Sequence, residues 1–360
     1  MNLFVPVTEF FLYVLFSFLV GHVALQFVPE SNKPNIVVRK PVLLLATLGI
    51  IVFSFAPVLQ VILYFSESVG LGLTAFSVLT KFQVGIAWIF TGFIATFLWM
   101  TIYVEGSKYI QAFWLILMIL AVGYASHVAS LSFWSGFVTH SLHFTVITLW
   151  VGILIQVSWF SKEAKNWAAF LKWFTPFSIG LLIVTVGTGL ILMFFVVTPK
   201  DYTNSWVLPY GQMLLLKHIS IIPVLLFAFI NGVLAKKSYS NPLWDPKPWI
   251  RTESISLFLV FFFTGVLGTL SPAAHDVATT FKSEGAAPFV EFLTGNEIMV
   301  PIQTELVPTI EGMTLIAMSG LFLLMIVISF YKQIKPIVAF GFGICFLITM
   351  YLGIMLNLSV

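Results

Sequence analysis

The feature that most constrains this chain is repeated ten times: a run of about 20 mainly apolar residues, near 3–27, 40–65, 76–103, 109–132, 137–160, 170–198, 211–235, 252–272, 309–331 and 336–358. A run of that length crosses the hydrocarbon core of a bilayer as a helix. In lipid a helix is also the form that satisfies each backbone N–H and C=O within its own segment. The expected fold is therefore all-α: a polytopic transmembrane bundle of about ten spans, with eight as the alternative count. Composition agrees, since 59% of residues are hydrophobic and only 9% charged, against roughly a quarter charged in soluble domains.

The loops alternate in charge. Lys33 and Arg39, then Lys162 and Lys165, then Lys236, Lys237, Lys247 and Arg251, then Lys332 and Lys335 occupy every second connection. The positive-inside rule makes these cytoplasmic and places both termini outside. Glu105 and Lys108 cancel in the third loop and do not discriminate. The intervening connections are neutral or acidic, the longest holding Asp276, Glu284, Glu291, Glu297 and Glu305. The first run lacks the basic start and small-residue cleavage pattern of a signal peptide and reads as a mature span. Four regions are expected: an amino-terminal helical region at 1–132, a helical core at 133–272, an extracytoplasmic cap at 273–308 and a carboxy-terminal helix pair at 309–360. With most of its basic residues in the loops between spans, the net charge of +3 is no nucleic-acid signal. Cys345 is the single cysteine, so no internal disulfide forms.

The chemistry centres on His127 to Gly152. A short polar break at Trp134, Ser135 and Gly136 predicts a helical hairpin turning at the outer surface. His127 precedes Trp134 by seven residues, and His140 and His143 follow it by six and nine. At 1.5 Å rise, the three share a layer about 10 Å below the tip. His140 and His143 are also spaced i, i+3, on one helix face. His218 lies at a similar depth in the seventh span, and His275 at the outer mouth. A lone intramembrane histidine is most simply a hydrogen-bonding group, but several at one level suit a metal such as copper, zinc, iron or nickel. Met213 could add a thioether, which selects Cu(I), although methionine is also ordinary packing material. Lys217, beside His218, is either a snorkelling residue or a counter-charge in a cavity wall.

Several short pieces then fall in a recognisable order: His143 followed by Trp150-Val151-Gly152; Phe174-Thr175-Pro176-Phe177-Ser178 leading to Thr188-Gly189; Tyr210 through Lys217; Asn231; and Arg251-Thr252-Glu253 leading to Ser271-Pro272. In these, residues 137–275 resemble the copper resistance D (CopD) family of membrane proteins. The resemblance implies a multi-pass copper protein of the bacterial cytoplasmic membrane that handles or takes up copper, often with an outer-face chaperone domain of the CopC type. It also assigns Trp150, Lys217, Asn231 and Glu253 to the family pattern as cavity or structural residues. His127 and His140 lie outside that pattern.

The expected function is capture of copper, as Cu(I) or Cu(II), at an outer-face histidine cluster for import or delivery. A non-conducting relay for cytochrome oxidase assembly and a b-type haem oxidoreductase using the same histidines are the alternatives. No Gly-x-Ser-x-Gly elbow or His-Glu-x-x-His motif occurs, so no enzymatic activity is expected.

Overall fold

The computed structural model describes residues 4–162, 166–234, 245–272, 276–294, 298 and 302–359. Among these, nine helices are long and apolar enough to cross a membrane. They account for nine of the ten expected runs. The tenth, 109–132, is divided between Lys108–Tyr124 and the five-residue helix His127–Leu131. The protein is a multi-pass, all-α membrane protein. It divides into two compact units, residues 1–192 and 193–360.

Unit 1 contains α1 (Phe4–Gln26), α2 (Lys40–Phe53), α3 (Phe55–Val69), α4 (Leu71–Lys81), α5 (Gln83–Tyr103), α6 (Lys108–Tyr124), α7 (His127–Leu131), α8 (Phe133–Trp159) and most of α9 (Trp167–Val196). α2 and α3 together form one span, Lys40–Ser68. It is interrupted at Ser54 because Pro57 has no N–H for the carbonyl four residues back. α1 packs along α8 and α2, and α5 packs against α2 and α6.

The α1–α8 crossing is set by glycine. A Cβ on Gly21 would lie 2.1 Å from the carbonyl carbon of Gly152, and one on Gly152 would lie 2.0 Å from the Ser17 carbonyl oxygen. Close backbone approach between small residues is the usual means of joining helices in lipid, where apolar burial gives little drive. Gln156 secures the crossing by donating from Nε2 to the Phe18 carbonyl at 2.9 Å.

At one end of unit 1 three connections meet. Val37 N–H donates to the Phe160 carbonyl and Lys162 N–H to the Asn35 carbonyl. Trp173 Nε1 donates to the Asn32 carbonyl, and Lys40 pairs with Glu105 at 2.5 Å. That hydrogen bond and the lysine charge hold the exposed Glu105 carboxyl below its usual range. Residues 28–39, 104–107 and 160–162 thus meet at one end of unit 1.

Unit 2 contains α10 (Pro209–Phe229), α11 (Lys247–Leu267), α12 (Val277–Glu284), α13 (Pro288–Thr294), α14 (Ile310–Tyr331) and α15 (Pro336–Leu356). α10 packs on α11 and α15, and α14 pairs with α15. The region expected as a cap is structured where described. Asp276 caps α12 by accepting from the Thr279 hydroxyl and from Thr279 N–H at 3.0 Å, which together keep its carboxyl below the usual range. Ala287 N–H donates to the Val207 carbonyl at 2.8 Å. Val290 is fully buried with Trp206, Leu215 and Phe346. A two-residue pair, β1 (Glu305–Leu306) with β2 (Leu358–Ser359), runs antiparallel and ties the segment to the end of α15.

Candidate metal-capture site

The expected hairpin turn forms, but earlier than Trp134. Ser126 ends α6 and starts α7, its hydroxyl accepting from Ala129 N–H at 3.3 Å and donating to the Gly123 carbonyl at 2.8 Å. Ser132, extended at φ −147°, separates α7 from α8. Trp134 therefore sits in the first turn of α8, and the turn occupies 125–132. His127 opens the short α7 and is exposed. The depth arithmetic, which assumed one continuous helix from His127 to the tip, does not hold for it.

His140 and His143 are partly buried on α8, which the Gly21–Gly152 crossing fixes against α1. Phe144, between them and α1, makes edge-on contacts with Tyr13 and Phe16. The His140 ring lies nearly parallel to Phe144, with centroids 6.4 Å apart. His143 reaches α9. Its Nδ1 is 2.9 Å from Thr188 Oγ1, and Gly189 leaves the space beside the ring, since a Cβ there would sit 3.4 Å from His143 Cε1.

The Thr188 hydroxyl has one hydrogen, and it goes to the Val184 carbonyl at 2.6 Å. What Thr188 offers the imidazole is an oxygen lone pair. The geometry therefore assigns the hydrogen to His143 Nδ1 and the basic lone pair to Nε2. Metal-ligating histidines are held in this way, by an acceptor at the other nitrogen. Thr188 belongs to the sequence pattern, but its pairing with a histidine 45 residues earlier was not readable there.

In unit 2, His218 has the opposite arrangement. Its Nδ1 is 2.7 Å from the Tyr202 hydroxyl. Among the described residues that phenol has no other acceptor, so its hydrogen goes to Nδ1. A neutral His218 then carries its own hydrogen on Nε2 and is a donor there rather than a metal ligand. Burial pushes the Tyr202 phenol above its ordinary value and keeps it a donor. Lys217 follows the preceding turn of α10, and none of the described residues forms an ion pair or hydrogen bond with its ammonium. Met213 is partly buried on the same helix. His275 lies outside the described residues.

Two further residues of the pattern meet. Asn231, in a π-helical turn that ends α10, donates from Nδ2 to Glu253 Oε2 at 2.8 Å and to the Trp249 carbonyl at 3.3 Å. Both side chains are buried. Trp150 is buried in α8, two residues before the Gly152 contact, and serves packing. Among the described residues no three His, Cys, Asp or Glu side chains converge at metal-ligand spacing.

Residues 168–267 match the family model for copper resistance protein D, CopD. Over this segment, a little more than a quarter of the chain, the protein is similar to the CopD family. The matched segment holds Thr188, Tyr210, Lys217, Asn231 and Glu253, while His140 and His143 precede it on α8. The family so matched is one of copper-resistance membrane proteins. Neither the curated proteins nor the solved structures contain a match.

Proposed function

We propose that this protein captures copper at the α8 histidines, with His143 Nε2 as the principal ligand and His140, one turn away on the same face, as the second. The observation that supports this most directly is the His143–Thr188–Val184 hydrogen-bond chain, which directs a neutral imidazole lone pair away from its anchor. Two imidazoles on one face suit copper without burying an anion. Lys217, beside a histidine that already accepts a hydrogen bond, disfavours a second cation at His218.

Copper is cargo in this reading, received on the outer face from a chaperone of the CopC type and passed inward or to an acceptor. The sidedness follows from the loop charges. The test is a copper titration of detergent-purified protein with optical and elemental analysis. About one equivalent of copper, lost in His143→Ala, supports the reading. A Soret band with stoichiometric iron overturns it in favour of haem ligation.

A further inference from the structure

The inner half of unit 2 holds a carboxyl group that copper capture leaves without a task. Glu253 is 3% exposed and lies six residues, about 9 Å, into α11. Its single hydrogen-bond donor among the described residues is Asn231 Nδ2, which meets Oε2. Neither Glu253 Oε1 nor Asn231 Oδ1 has a partner there. Nearby on α11, Trp249 packs in an apolar cluster with Phe227 and Ile230, Ile326 of α14 and Ala339 of α15. On α11 itself the charged groups are Lys247 and Arg251, and neither forms an ion pair with Glu253. A bare carboxylate with one amide donor is costly inside a membrane. The group must hold a proton or a cation.

Two observations favour a proton. The first is the donor set: one carboxyl and one amide oxygen are hard ligands and do not select Cu(I). The second is a small cavity between α10, α11 and α15, lined by Ser220, Pro223, Ser256, Leu259 and Gly343 among others. Ser256 is three residues beyond Glu253, on the same helix face. Each serine spends its hydrogen on its own helix: Ser220 donates to the Lys217 carbonyl at 2.7 Å and Ser256 to the Thr252 carbonyl at 2.9 Å. Both present lone pairs only to the cavity. These two oxygens are the polar part of an otherwise apolar lining.

The geometry points to the buried Glu253–Asn231 pair as a proton-binding station within the membrane, one helical turn from the Ser256 side of that cavity. The π-helical turn supports the assignment, because it frees Asn231 from regular helix geometry at the position where the amide must meet the carboxyl. Proton binding at Glu253 needs no copper. Its use as a counter-movement to copper rests on the transport reading above.

The test is infrared difference spectroscopy of the purified protein during a pH titration, together with labelling by dicyclohexylcarbodiimide, which attacks protonated carboxyls in apolar surroundings. We expect a carboxylic-acid carbonyl band that titrates reversibly in the wild type, is absent in Glu253→Gln and moves in Asn231→Leu. We also expect mass-spectrometric labelling of Glu253 that declines as pH rises. Glu9, which bonds Tyr13 in α1, gives its own band, removed by Glu9→Gln. Identical spectra for wild type and Glu253→Gln, or no labelling of Glu253 in the native protein, overturns the proposal. In proteoliposomes, Glu253→Gln is expected to keep copper binding and lose the dependence of copper flux on a pH gradient. Absence of copper binding in the wild type would defeat the copper reading and leave the spectroscopic result standing.

Discussion

His143 and His218 are the same residue type, each partly buried and each held at Nδ1 by a hydroxyl within 2.9 Å. They differ in where the hydroxyl hydrogen goes. Thr188 sits mid-helix, where its hydrogen is taken by the carbonyl one turn back. The Tyr202 phenol extends from the loop before α10, where no backbone carbonyl claims it. The first histidine is thereby made a lone-pair donor at Nε2 and the second a hydrogen donor. Counting histidines at one depth weighs the two equally; tracing the hydrogens separates them.

The change expected to do most damage removes the platform under the first histidine. Gly152→Leu places side-chain atoms inside the α1 backbone, and we expect no folded protein in detergent extracts, as judged by size-exclusion chromatography. Recovery of a monodisperse variant would show that α8 is positioned by something other than this crossing. Next is the direct contrast. His143→Ala is expected to weaken copper binding by more than about 100-fold, beyond the range typical of losing a supporting residue, while His218→Ala changes it by less than about threefold. Equal losses in a copper titration would end the distinction.

Thr188→Val keeps the shape and removes the acceptor, and should weaken copper by about 10- to 100-fold, with Thr188→Ser restoring most of it. If Thr188→Ser fails where Thr188→Val fails, packing beside Gly189 and not tautomer control is responsible. Smallest is Tyr202→Phe, expected to leave copper affinity unchanged and cost about 1 kcal/mol of stability in thermal unfolding, for one partly buried hydrogen bond.

Much of the fold is legible in the residues because each span is a long apolar run. It was misread where polarity is subtle. The run 109–132 passes for one helix until Ser126 and Ser132 are recognised as residues whose hydroxyl or extended backbone interrupts it. That misreading put His127 in the layer by an arithmetic that the broken helix does not support. At the site, the i, i+3 relation of His140 and His143 follows from spacing alone. The Thr188 acceptor, the Tyr202 donor and the Asn231–Glu253 bond do not, since they join residues 45, 16 and 22 positions apart whose pairing is decided by how helices pack. Resemblance named Asn231 and Glu253 without joining them.

The crossing of Gly21 and Gly152 also works as a ruler. Because neither position accepts even a methyl group without the backbones parting, a variant sequence with any side chain at either place has α1 standing farther from α8. Reading these two positions in a related chain thus reports the separation of its first and eighth helices before any coordinates exist.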